Sequence, residues 1–146
     1  MRRLLRTRRA FSLIELLVVL VILALLAGIV LPRFLARQGD AQVSTAKTQI
    51  GSFKSALQLY MLDNNGQPPT SEQGLEALVE EPSSSPRPAK WQKYLNEPQV
   101  PLDPWKNPYM YDAPGPNGEE FYILSYGADG KPGGNNNDAD IDSNTK

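Results

Sequence analysis

The chain has 146 residues and a net charge of −1, with neither cysteine nor histidine, which excludes disulfide staples and removes the commonest general base and zinc ligand. The charge is unevenly placed: residues 1–10 hold five arginines and no acid, whereas 10 basic residues face 15 acidic ones from Pro32 onward. So acidic a main part argues against nucleic acid as the principal ligand, and the length suits one small domain with an appendage.

Residues 8–34 read "RRAFSLIELLVVLVILALLAGIVLPRF". Between Phe11 and Leu31 lie 21 residues whose only charge is Glu15. As a helix they reach about 31 Å, the hydrocarbon thickness of a bilayer. The arginines place their own side in the cytoplasm and the rest outside. A cleaved secretory signal has a shorter apolar core, of about 7 to 15 residues, and a better small-residue site than "ALLAG". A twin-arginine signal, suggested by "TRRAFSL", has a milder core with no acid in it. A plain membrane anchor fits the length but leaves Glu15 unexplained, unless the carboxylate snorkels to the cytoplasmic surface.

Pro32 is expected to kink the helix or loosen one turn, with Gly28 adding freedom one turn earlier. Beyond it, Val43, Ala46, Ile50, Phe53, Leu57 and Tyr60 recur at helical spacing, one buried stripe that carries a globular head. On the outward face, Lys47, Gln49 and Lys54 are either solvated or set against neighbouring subunits. Asp63-Asn64-Asn65-Gly66 ends the helix. Thr70 or Ser71 can cap a short helix over about 72–80, which Pro82 stops. Residues 83–88, "SSSPRP", form a loop. Tyr109–Tyr111 and Phe121–Tyr126, around "PGPNG", predict a hairpin whose aromatic face packs on the helix stripe.

The stretch 127–144, "GADGKPGGNNNDADIDSN", sets aspartates and asparagines among glycines. Oxygen donors on a flexible backbone suit Ca²⁺, and a solvated polar tail suits the same composition. The EF-hand pattern fails because no Gly follows Asp142 and the chain ends before a Glu; the repeat of calcium-binding β-helices lacks its third Gly.

The start of the chain resembles the signal of the type IV pilin and pseudopilin superfamily: a short basic leader, then "FSLIE", a greasy helix, and a proline twenty-one residues after the phenylalanine. The resemblance implies a membrane peptidase that cuts between Ala10 and Phe11 on the cytoplasmic side and methylates the new amino group of Phe11. Ala10 stands where that family normally has Gly. A cationic amine at the membrane edge would be neutralised by a carboxylate four residues on, strongly so in low dielectric. Within one helix Glu15 points away from its own terminus, so the resemblance implies that it meets the Phe11 amine of a neighbouring subunit during assembly.

"DNNGQPPTSEQGLEAL", "PLDPWKNPY" and "SYGADGKPGG…DADI" are similar to the runs of the major pseudopilins of the type II secretion system, over nearly the whole chain. Departures are Lys106, where the family usually has Gly, and a missing aromatic ending after "DADI". The resemblance implies one calcium in the loop about 126–142, held by the Tyr126 carbonyl with Asp129, Asp138 and Asp140. The expected fold is α+β: a cleaved leader 1–10, a transmembrane helix 11–31, its amphipathic continuation 32–62, and a head 63–146 with a small antiparallel sheet. The implied function is that of a structural, non-enzymatic subunit, stored in the inner membrane with its head in the periplasm. Its partners would be copies of itself, minor pseudopilins, the prepilin peptidase, an inner-membrane assembly platform and membrane lipid, with no nucleic acid. The alternative is a type IV pilin for adhesion, motility or DNA uptake, though many of those close their C-terminal region with a disulfide. An anchored enzyme would need paired carboxylates in a cleft, and nothing in the sequence places two together.

Overall fold

The computed structural model describes residues 12–144, without the side chains of 30–37. The expected cleavage pair, Ala10 and Phe11, lies outside the described residues. One long helix, α1, covers Leu13–Asp63 and passes through Gly28 and Pro32 without interruption, so the proline does not end it. The chain divides between Gln38 and Gly39 into two compact units.

In the first unit, every large apolar side chain given from Leu13 to Ile29 is 48–83 % exposed. Leu, Val and Ile occupy all sides of the helix, and no face is covered by the described residues. Among the described residues no helix is long and apolar enough to cross a membrane. The described side chains stop at Ile29; from Leu13 that is roughly 25 Å at helical rise, short of the ~30 Å hydrocarbon core.

The second unit is built on α1 from Gly39 onward. Ala46, Ile50, Phe53, Leu57 and Tyr60 are buried at the expected spacing, joined by Ala56, while Val43 packs at the margin. Thr45, Thr48, Ser52 and Ser55 turn their hydroxyls onto carbonyls four residues back, so the opposite face satisfies itself. Two residues of the supposed outward face belong to the head instead. Gln49 accepts from the Tyr109 hydroxyl at 2.6 Å and donates to the Leu102 carbonyl, and Lys54 donates to the Ser143 carbonyl at 2.6 Å. Their long side chains reach over the edge of the stripe, beyond what spacing alone reveals.

The expected helix at 72–80 is a 3-10 turn, Leu75–Leu78, preceded by a hydrogen-bonded turn. The amide of Thr70 donates to the Gln73 side chain (3.1 Å), and the amide of Gln73 to the Thr70 hydroxyl (3.2 Å). This reciprocal pair closes the turn as a capping box does, and leaves too few residues before Pro82 for a longer helix.

The hairpin forms from β1 (Met110–Asp112) and β2 (Tyr122–Ser125), antiparallel, with Tyr111 opposite Ile123. A third strand, β3 (Ile141–Asp142), pairs antiparallel on the other edge of β2. It falls where the sequence reads as loop. Ile141, the one large apolar residue of that stretch, is 4 % exposed and draws the backbone onto the sheet. The aromatic packing of hairpin on helix is as expected: Phe53 meets Tyr109 edge-on with centroids 5.1 Å apart. The Tyr111 hydroxyl donates to the Pro69 carbonyl at 2.8 Å, and burial pushes both phenols above their ordinary range.

Candidate assembly and cation-binding sites

At the start of α1, Ser12 and Glu15 face each other across one turn. The Ser12 amide donates to Glu15 Oε2 at 2.9 Å, and the Glu15 amide donates to Ser12 Oγ at 3.3 Å. The pattern Ser-x-x-Glu is a capping box, which satisfies two of the amides a helix leaves open at its first turn. The expectation that Glu15 points away from its own terminus is therefore corrected: the Ser-x-x-Glu spacing turns the carboxylate back onto the Ser12 amide. Both residues are exposed in the single chain, so the carboxylate stays within reach of another molecule.

The far end of α1 is clamped. Asn65 and Gly66 take positive φ (58° and 80°), and the Gly66 amide closes on the Met61 carbonyl at 2.8 Å, which terminates the helix. Asp63 then accepts from Lys90 Nζ (3.0 Å), Gln92 Nε2 (2.9 Å) and the Tyr94 hydroxyl (3.1 Å). An acid in the last helical turn is opposed by the helix dipole, and these donors offset it. The Lys90 bond holds the Asp63 carboxyl below its usual range, while burial and then the Asp63 bond push the Tyr94 phenol up to about 12. Nearby, Trp91 Nε1 donates to the Ala77 carbonyl at 2.8 Å.

"PLDPWKNPY" forms a turn around a buried acid. Asp103 is 3 % exposed. Its Oδ1 accepts the amides of Trp105 (3.0 Å) and Asn107 (2.8 Å), and its Oδ2 accepts the Ser125 hydroxyl at 2.7 Å. The Lys106 amide closes on the Asp103 carbonyl, and Lys106 takes a φ of 73°. Asp at the first position, Pro at the second and Gly at the fourth are what such a turn favours, so the departure at Lys106 sits where glycine is physically preferred. Sequence reasoning passed over Asp103, Asn107 and Ser125 as functional neighbours, although the Asp-Pro step was a usable turn signal.

The C-terminal loop begins at Tyr126, which is half-buried, while Asp129, Asp138 and Asp140 are exposed. Asp129 Oδ1 accepts the Lys131 amide and Asp140 Oδ2 the Gly133 amide, each at 3.0 Å. Among the described residues no three acids are grouped to hold a metal ion. Backbone oxygens do gather: a Cβ on Gly127 (φ 66°) would stand 2.7 Å from the Asn137 carbonyl and 2.9 Å from that of Ala139. Every side chain named as a ligand and these carbonyls are hard oxygen donors, the chemistry that suits Ca²⁺ rather than a softer metal, although the three aspartates are not drawn together at the notch around Gly127.

Comparison with known proteins places these features in a family. The family model "Type II secretion system (T2SS), protein G" matches residues 33–144, and that of the prokaryotic N-terminal methylation motif matches residues 5–31. The chain is 49 % identical over 138 residues to a type II secretion system core protein G of Pseudomonas aeruginosa, covering 93 % of this chain and 94 % of that one. It is 40 % identical to the protein of the same description from Vibrio cholerae, over 93 % of this chain and 91 % of that one. A crystal structure of the major pseudopilin from the type 2 secretion system of enterohaemorrhagic Escherichia coli aligns with a TM-score of 0.62 at 32 % identity, covering 75 % of this chain and 91 % of that one.

Proposed function

The chain belongs to the type II secretion system protein G family, and we propose that it is the subunit from which a periplasmic pseudopilus is polymerised to drive protein export across the outer membrane. It is a structural subunit, not an enzyme. The observation that carries the reading is the contrast within α1. From Gly39 onward the helix buries its stripe in its own head, yet from Leu13 to Ile29 it exposes apolar side chains on every side. Such a surface is held by lipid before assembly and by other copies of the same helix afterwards. The subunit is thus stored in the inner membrane with its head outward, after a prepilin peptidase has cut between Ala10 and Phe11 and methylated Phe11. Glu15 then meets the Phe11 amine of a neighbour, and minor pseudopilins and an inner-membrane platform complete the assembly.

Deletion of the gene tests the reading: secretion should stop while surface filaments persist. Loss of surface filaments with intact secretion would instead mark a type IV pilin.

The loop's cation is the second part of the proposal. Asp129, Asp138 and Asp140 with the Tyr126 carbonyl would hold Ca²⁺, which neutralises their mutual repulsion and ties the chain's end to the sheet. A ligand that binds only the folded state adds about 2.7 kcal/mol at a hundred times its dissociation constant. Full chain in detergent should therefore melt higher in millimolar Ca²⁺ than in chelator, Mg²⁺ should substitute poorly, and Asp129→Ala should remove the difference. An unchanged melting curve would rule the cation out.

A further inference from the structure

The C-terminal loop is seated by parts of the chain far from it in sequence. At its start the Gly127 amide donates to Ser125 Oγ at 3.3 Å, and that hydroxyl donates to the buried Asp103. The Gly127 carbonyl accepts from Asn107 Nδ2 at 2.9 Å. The single turn 103–107 thereby grips Gly127 through both its amide and its carbonyl. Farther along, the Asn137 side chain lies over the bare backbone of Gly39 on α1, where any Cβ would overlap its amide group. The Ala128 amide closes on the Asn137 carbonyl at 2.9 Å, which links the two seats.

We propose that the 103–107 turn and the notch at Gly39 are two clamps that position the loop before any ion arrives, and that they set its affinity for calcium. The inference rests on the calcium reading above. A loop with glycines at 127, 130, 133 and 134 has much freedom to lose on binding, and fixing Gly127 and Asn137 beforehand lowers that loss. Asn107 and Gly39 are not offered as ligands. They are positioning residues, acting through the carbonyls that flank the notch at Gly127.

The test uses full chain in detergent micelles, with calcium affinity measured by competition against a chelating dye and amide exchange measured in chelator. Asn107→Ala removes the bond to the Gly127 carbonyl. Gly39→Leu fills the notch with a good helix former. Each should weaken calcium binding about tenfold, the size of one lost hydrogen bond or its equivalent. Each should also speed exchange at Gly127 and Ala128, whose amides are bonded in the seat, without accelerating it at Ile123 in the sheet. Lys47→Ala, on the exposed face of α1, should change neither. Wild-type affinity and wild-type exchange in both variants would overturn the inference. If the wild type itself takes no calcium, the calcium reading fails, and the exchange rates alone decide: faster at the loop supports the clamps, unchanged refutes them.

Discussion

The two halves of α1 use similar residues for opposite ends. In Leu13–Ile29 the apolar side chains lie all round the helix and none is covered by the described residues; in Gly39–Asp63 a stripe of them is sealed by the head, with Leu59 and Leu62 left exposed beside it. The second half is stabilised by its own head, and the first is not covered by any described residue. Sequence periodicity separates the two, because a one-sided stripe marks a helix with one packed face and an all-round apolar surface does not.

Exchanging a residue in each half should break this contrast in different currents of measurement. The largest effect is expected at Glu15. Glu15→Val should leave membrane insertion, cleavage and head melting intact and abolish filament assembly and secretion. Glu15→Gln keeps an acceptor for the Ser12 amide and loses the charge. If Glu15→Gln also fails to assemble, the ion pair with a neighbour is the needed contact; if it assembles, the cap suffices.

Next comes Phe53→Ala, which should lower head stability by about 3–5 kcal/mol in thermal or denaturant melts. Leu20→Ala, in the exposed half, should leave the same melt unchanged. An equal loss from both would mean that the halves do not divide the work in this way.

Lys106→Gly is expected to stabilise the head by about 1 kcal/mol, because a side chain at φ 73° carries a strain that glycine lacks. The melting temperature should rise by a few degrees. A fall would show that the lysine side chain makes up for its backbone.

The smallest effect concerns pH. Because the Asp63 carboxyl sits below its ordinary value, it favours the folded state above the unfolded carboxyl pKa of about 3.9, and that contribution is lost as pH falls through the lower folded pKa. Asp63→Asn should therefore flatten the acid limb of the stability curve and leave the behaviour of Leu13–Ile29 untouched. An acid limb as steep as that of the wild type would place the titrating group elsewhere.

The helix stripe, its stop at Asp63 and the hairpin were legible because each rests on local pattern: a 3.6 period, an Asn-Gly terminator, aromatics flanking a Pro-Gly turn. What stayed hidden depends on partners distant in the chain. β3 needs β2 to exist before Ile141 has anywhere to pack. Gln49 and Lys54 are polar at outward positions and become head residues only because Tyr109 and Ser143 come over them. Asp103 reads as a surface acid until Ser125 and the amides of its own turn enclose it. The short helix is shorter than its pattern predicts because the Thr70–Gln73 pair takes up its first residues in a closed turn. For the candidate sites, composition pointed to oxygen donors in the loop, but the seat at Gly39 is 98 residues from Asn137 and leaves no trace in local pattern.

The two tryptophans, the only ones in the chain, stand in separate places. Trp91 hangs from the Ala77 carbonyl beside the Asp63 clamp, and Trp105 sits in the turn that grips Gly127. Both are partly buried, and neither lies in the apolar half of α1, Leu13–Ile29. The protein thus carries two built-in optical reporters, one for the helix end and one for the loop's seat. Replacing Trp91 by Phe leaves an emission spectrum that follows the loop alone, and replacing Trp105 leaves one that follows the helix end.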